Sequence, residues 1–302
     1  MPPDKPTLDA VKNYWDANPA GYAEVKHLEA DRRAFFDERD RQTRLLYPHL
    51  DDQYGFARAR DKRALEVGCG MGYNAQRLAQ FGARVTAIDL AHQAVLLTRE
   101  RFAMRGLHAD SLVADAENLP FKDCAFEMAF SSGVIHHSPD TQAAAREIVR
   151  ILRPGGAAAV MIYHRDSIWF WWNIVIKLGA LMIALNTLPP SLRGPILARR
   201  SKWQYYILPP GRRLRLGDVI RAGTDFGGVL NPVSRVYTRG SARRLFSALA
   251  DVRFVISDAS FRPFAESPAA LLKLGRRIKD WLNRRWGFYL TVHGIKPAAS
   301  ER

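Results

Sequence analysis

Cysteine is almost absent from this chain. Cys69 and Cys124 are the only two in 302 residues, so no disulfide framework holds the fold, and a reducing, cytoplasmic setting is expected. The N-terminal run Met1-Pro2-Pro3-Asp4-Lys5 lacks the basic-then-apolar pattern of a secretory leader. Internal repeats and low-complexity tracts are missing too. No cluster of His, Cys and acidic residues stands at metal-ligand spacing, so no metal is expected. Uninterrupted apolar runs are scarce. The longest, Ile168–Leu185, is broken by Asn173 and Lys177 and is shorter than the roughly 20 apolar residues that span a bilayer. A lysine near its centre would cost about 2.5–3.5 kcal/mol there, which disfavours a crossing. An interfacial helix, the wall of a tunnel for a lipophilic substrate, and a buried cap or subunit-contact helix remain open.

Acidic residues are scarce in one half only. Residues 1–160 carry 21 Lys and Arg against 22 Asp and Glu, whereas residues 161–302 carry 24 against 8. The whole excess of +15 therefore lies in the second half. An anionic partner would account for it: nucleic acid, acidic lipid headgroups or an acidic substrate. A merely well-solvated basic surface would do so as well. With 47% apolar and 25% charged residues the chain is globular, and its length suits one large domain or two ordinary ones.

Strand and helix signals alternate through the first half. Arg63–Val67, Arg84–Asp89, Ser111–Ala114, Phe126–Ser131 and Ala157–Tyr163 read as strands. Tyr73–Gln80, Ala91–Arg105 and Thr141–Leu152 read as the helices between them, the last stopping at Pro154-Gly155-Gly156. Leu8–Ala17 and Leu28–Leu46 read as two front helices. After Tyr163 the rhythm lapses and resumes with a helix at Ser241–Leu249 and a strand at Val252–Ser257. A basic helix near Pro268–Trp286 and a strand at Phe288–His293 follow. This predicts an α/β, doubly wound, Rossmann-like sheet whose ligand sits beyond the carboxyl ends of the strands. The predicted organisation has front helices at 1–50 closing over that ligand and a core of 51–163 with 240–302. A mainly helical cap at 164–239 is inserted between the fifth and sixth strands.

The first strand runs into Glu66-Val67-Gly68-Cys69-Gly70-Met71-Gly72. Glycines there tolerate positive φ and let the backbone approach a ligand closely. A dinucleotide fingerprint would need a third glycine at position 73, which is Tyr73. Asp89 closes the second strand where an acid accepts bonds from ribose hydroxyls. Asp115 follows the third, where an acid suits an adenine amino group.

On these residues the chain resembles the class I S-adenosylmethionine-dependent methyltransferases, and most of all their small-molecule branch, which includes the ubiquinone and menaquinone methyltransferases. The likeness continues through Asp115-Ala116-Glu117-Asn118-Leu119-Pro120-Phe121, Ser131 to Asp140, and Arg146 to Gly156. The resemblance implies a seven-stranded sheet with an antiparallel last strand and S-adenosyl-L-methionine as cofactor. It implies a binding shell of Glu66, Gly68, Cys69, Gly70, Gly72, Asp89, Leu90, Asp115, Ala116 and Ser131, with Tyr14 contributed by the front helix. Methyl transfer is an in-line displacement that relies on proximity and exclusion of water. His136 and His137, just past the fourth strand, are the candidate bases, or else structural loop residues. Tyr14, Trp15 and Tyr22 offer π-faces to a sulfonium, or pack in the core.

The acceptor is less legible. Tyr237 and Arg235 in the insertion are candidates for work on the substrate, Tyr237 through its hydroxyl and Arg235 as a fork for an acidic group. His164 and Trp169, just past the fifth strand, are the further candidates. The acceptor is expected to be a small molecule, lipophilic or anionic, with an anionic membrane surface as a second partner and a location in the cytoplasm or on the inner face of a membrane. The alternatives are a nucleic-acid methyltransferase and a non-catalytic S-adenosylmethionine-binding protein. Against nucleic acid, the fourth strand ends in Ser131-Ser132-Gly133-Val134 rather than an Asn/Asp-Pro-Pro-Tyr/Phe loop, and no Pro-Cys nucleophile is present.

Overall fold

In the computed structural model, residues 6–47, 50–189, 191–192, 213–224, 231–257 and 276–298 are described. Their strands are β1 (Arg63–Val67), β2 (Arg84–Asp89), β3 (Ala109–Val113), β4 (Phe126–Ser132), β5 (Leu152–His164), β6 (Val236–Tyr237), β7 (Ala250–Ser257) and β8 (Tyr289–Ile295). The sheet runs β3-β2-β1-β4-β5-β8-β7, with β6 paired only to β5. Strands β1 to β5 are mutually parallel. β8 is reversed: Gly155 N–H donates to Lys296 O and Lys296 N–H to Gly156 O at one end, and His164 N–H reaches Phe288 O at the other. This is the doubly wound, Rossmann-like sheet with a reversed last strand that the sequence predicts, plus one short additional strand.

β1 is buried from Ala64 to Val67, as a central parallel strand covered on both faces must be. Ala64, Leu65, Glu66 and Val67 leave no solvent face, and helices Tyr73–Gln80 and His92–Arg105 return the chain to the parallel neighbours. Contacts divide the chain into two units. The first comprises residues 1–162, 239–255 and 291–302, so the front helices belong with the sheet. The second comprises residues 163–238 and 256–290.

Several element boundaries differ from the sequence reading. The second front helix spans Arg32–Leu46 rather than beginning at Leu28, because Asp31 caps it by accepting the Ala34 N–H at 3.0 Å. Tyr22 lies in a separate one-turn helix, Tyr22–Val25, and packs on Phe35. Pro154-Gly155-Gly156 is part of β5, not a stop before it. The pairing with β4 jumps from Phe126↔Leu152 to Met128↔Ala157, so the extra residues are absorbed as an irregularity that β8 then pairs. Within the second unit the described part of the insertion is mainly helical, with helices over Phe170–Thr187 and Leu216–Thr224. The basic helix is described over Arg276–Trp286, and residues 268–275 lie outside the described residues.

Candidate active site

The turn after β1 takes a left-handed conformation at three glycines, with φ of 80°, 53° and 76° at Gly68, Gly70 and Gly72. At Gly68 a Cβ would lie 2.1 Å from Val134 Cγ2, so no side chain fits; at Gly70 it would meet nothing within 4 Å. The turn is tied to the end of β2, where Gly68 N–H and Cys69 N–H both donate to Ile88 O at 2.8 and 2.9 Å. Thr98 supports it from helix His92–Arg105 by donating to Gly70 O at 3.1 Å.

Asp89 completes this arrangement. Its Oδ2 accepts the Gly70 N–H and its Oδ1 the Ala91 N–H, each at 2.9 Å. Burial pushes its carboxyl above the usual range, and the backbone amides of Ala91, Gly70 and Leu90 act in the opposite direction. A carboxylate has about four lone-pair positions, so acceptor capacity remains for a ligand. Asp115 turns the chain after β3 by accepting the Glu117 N–H at 2.9 Å. The loop that follows is braced from helix Thr141–Ile151: Glu147 accepts the Leu119 N–H at 2.8 Å, and Arg150 donates to Phe121 O at 2.8 Å and Leu119 O at 3.0 Å.

These elements enclose a cleft of about 790 Å³, counting its open side. It lies at the carboxyl ends of β1, β2, β3 and β4, where an open α/β sheet binds its ligand. Val67, Gly68 and Gly70 form its floor, with Asp89, Leu90, Asp115 and Ala116 along one side and Ser132 to Val134 with His137 to Pro139 along the other. Leu8, Val11, Trp15, Pro19 and Ala20 supply the remaining wall. Helix Leu8–Ala17 is fastened there by Asp16, which accepts the Gln93 N–H at 3.1 Å and pairs with Lys12 at 2.6 Å.

Of the residues expected at the site, Gly68, Gly70, Asp89, Leu90, Asp115, Ala116 and His137 line the cleft. Others stand behind it. Ser132, not Ser131, faces the cleft, because side chains alternate along β4; Ser131 is fully buried. Trp15 replaces Tyr14 in the wall and meets the His137 ring edge-on at 5.4 Å. His136 is fully buried, its ring 4.2 Å from that of His137. Cys69 is buried, and Gly72 starts helix Tyr73–Gln80. Glu66 lies beneath the turn, held by the Asn74 side chain and the Ala75 N–H, and burial raises its carboxyl to about 8.

His164, Trp169, Arg235 and Tyr237 all belong to the second unit. His164 is buried with Nδ1 2.9 Å from Gly287 O, and the Trp169 indole N–H donates to Gly223 O at 2.8 Å. Tyr237 pairs with His164 across β5 and β6. The sequence reading missed the Glu147–Arg150 brace, the Tyr54 hydroxyl that donates to Ser132 Oγ at 2.8 Å, and the buried Arg101. Arg101 donates to Met71 O at 2.5 Å and pairs with Asp40. Glu147 and Arg150 are three apart on one helix, a spacing that could have shown their pairing, whereas the other partners are brought near only by the fold.

Residues 65–160 match the family model described as a methyltransferase domain. The chain is 36% identical over 123 residues to a ubiquinone biosynthesis O-methyltransferase of Xanthomonas axonopodis, a stretch covering 40% of this chain and 50% of that one. It is 38% identical over 95 residues to a malonyl-[acyl-carrier protein] O-methyltransferase of Serratia marcescens, covering 32% and 36%. The chain thus spans half or less of these curated relatives. Among solved structures it resembles the [4+2]-cyclase SpnF, with a TM-score of 0.54 and 19% identity over 97% of each chain. That likeness establishes the fold alone.

Proposed function

We propose that this chain, whose residues 65–160 match a methyltransferase domain, is a class I enzyme that transfers a methyl group from S-adenosylmethionine to a small acceptor. The observation that carries the proposal is Asp89. It stands at the end of β2 with each carboxylate oxygen on one turn amide, in the wall of a cleft floored by Gly68 and Gly70.

The residues present fit the cofactor. Gly70 faces open space where any other residue would place a side chain. Asp89 retains acceptor capacity toward ribose hydroxyls, and Asp115 with Ala116, in the same wall, suits an adenine edge. When bound, S-adenosylmethionine supplies an electrophilic methyl on a sulfonium. The chain orients the reactants and keeps water out. Trp15 and the apolar front-helix residues cover the cleft, with the indole able to favour a positive charge through its π-face. His137 is the imidazole in the wall and is assigned to hold the proton that the acceptor gives up. Acceptor choice we assign to Arg235 and Tyr237, a fork and a hydroxyl that suit a polar or acidic end of a small molecule.

Asp89→Ala tests the cofactor assignment. Hydrogen bonds to a charged group contribute about 1.5–3 kcal/mol each, so calorimetry should show S-adenosylhomocysteine bound at least about tenfold more weakly. Unchanged affinity would remove Asp89 from the site. His137→Gln should lower turnover by roughly 10²-fold or more at unchanged cofactor affinity. Tyr237→Phe should lower turnover while affinity and melting temperature hold. A rate equal to wild type in either variant would refute the role given to that residue.

A further inference from the structure

The second unit carries an exposed apolar face that the methyl-donor cleft does not use. Phe170–Leu178 winds as a π-helix and continues directly into the α-helix Gly179–Thr187, forming an 18-residue rod of mean hydropathy 1.3. One side of the rod is engaged. Phe170 and Ile174 pack on Val219, and Leu185 on Leu214. Gly223 permits this approach, since a Cβ there would fall 2.5 Å from Ile174 Cγ1. Asn186 secures the far end by bonding both the N–H and the C=O of Leu214 at 2.9 Å.

The other side meets solvent. Trp171, Trp172, Ile176 and Ile183 are 51%, 48%, 53% and 63% exposed. On a π-helix positions four and five apart align, so both indoles lie over Ile176, and Ile183 follows two α-turns later. Leu216, beside the Asn186 clamp, is 53% exposed as well. Cations accompany this stripe. Lys177 is exposed within it, and Arg213 and Arg215 are exposed on either side of Leu214, whereas Arg165, just before it, is paired with Asp166 at 3.7 Å. Over residues 163–238 and 256–290 the chain has 18 Lys and Arg against 6 Asp and Glu.

We propose that this face docks onto an anionic lipid bilayer, with the rod lying in the plane of the interface. Tryptophan favours headgroup depth, where its ring is buried and its N–H stays wet. Ile176 and Ile183 would enter the acyl boundary, and Lys177 would extend its ammonium to the phosphates along its own alkyl stem. The arginines provide the electrostatic attraction to an acidic leaflet. A crossing orientation is disfavoured because the rod is fixed along the Leu216–Thr224 helix, which brings the Asp218–Arg221 ion pair with it. A second copy is disfavoured by repulsion between two faces of the same strong positive charge. Nucleic acid would require several cations along the middle of the face, where Trp171, Trp172, Ile176 and Ile183 stand with Lys177.

Flotation of the full chain with vesicles, without cofactor, tests this independently of the methyl-transfer reading. Vesicles of phosphatidylcholine with roughly 30% phosphatidylglycerol should carry most of the protein at low salt, and raising salt to about 0.5 M should release much of it. Pure phosphatidylcholine should carry several-fold less. Trp172→Ser with Ile176→Ser should reduce flotation by about tenfold, with melting temperature and S-adenosylhomocysteine affinity as in the wild type. Lys177→Glu, which alters only an exposed charge, should weaken it in the same direction and keeps the test decisive if the double variant misfolds. The proposal is overturned by equal binding to neutral vesicles, by resistance to alkaline carbonate extraction, or by full binding in both variants. It is also overturned by a salt-sensitive RNA complex in place of flotation, or by a dimer in light scattering that the double variant dissociates in the absence of lipid binding.

Discussion

Gly68→Ala places a methyl group where the fold has no room. The residue sits at φ 80°, and the new Cβ would lie 2.1, 2.6 and 2.8 Å from Val134 Cγ2, Cγ1 and Cβ. A left-handed conformation costs a non-glycine residue about 1–2 kcal/mol, and overpacking about 1–3 kcal/mol more. Reduced freedom of the unfolded chain offsets about 0.4–1 kcal/mol of this. The expected net loss is therefore about 1–4.6 kcal/mol, read as a lowered urea midpoint at unchanged slope. Gly70→Ala is the control. It has φ 53° but no neighbour within 4 Å, so only the backbone cost applies, about 0–1.5 kcal/mol net. Its methyl group enters the cleft instead and should weaken S-adenosylhomocysteine binding. Val134→Ala removes the obstructing methyls, so in the Gly68→Ala background it should show a favourable coupling of about 1–3 kcal/mol. Equal stability of the two alanine variants, together with zero coupling to Val134, would refute the steric account.

Arg101→Met leaves Asp40 buried without its main partner, at a cost of about 3–5 kcal/mol, toward the lower end because Arg105 stands 3.5 Å from the same carboxylate; a loss below about 1 kcal/mol in urea melts would show the pair to be inconsequential. Glu66 is raised by burial from an ordinary 4.5 to about 8, so the folded protein holds this proton more tightly than the unfolded chain. The stability it contributes is present below about 4.5 and lost as pH rises through 8. Glu66→Gln should flatten that decline, and an unaltered slope in melts across this range would contradict the assignment. Tyr54→Phe deletes the bond to Ser132 Oγ and should lower stability by about 0.5–1.5 kcal/mol in the same assay, whereas no change would show that water replaces it.

The parallel half of the sheet was legible because its strands are short apolar runs punctuated by glycine, and β1 and β2 have the expected limits. The cleft was legible through Gly68, Gly70, Asp89 and Asp115, since a ligand of an open α/β sheet sits beyond the carboxyl ends of its strands and these residues stand there. Register was harder. Whether Ser131 or Ser132, Tyr14 or Trp15, faces a ligand depends on one step of strand alternation or helix rotation, which local pattern does not fix at element ends. Pro154-Gly155-Gly156 looked like a stop, yet β8 supplies partners that keep it in the sheet. The π-helical start of the apolar rod was equally hidden, because Ile168–Leu185 is apolar all round and so carries no period. Partners distant in sequence, such as Arg101 with Asp40 or Arg150 with the Asp115–Phe121 loop, leave no trace in spacing.

Crystallographic density for S-adenosylhomocysteine soaked into the full chain tests the central claim most directly. The ribose hydroxyls are expected within hydrogen-bond reach of Asp89, the adenine against Asp115 and Ala116, and the homocysteine beside Gly68 and Gly70, with the sulfur toward His137. Density for the ligand away from this cleft, or a cleft that stays clear at saturating ligand, would contradict the account.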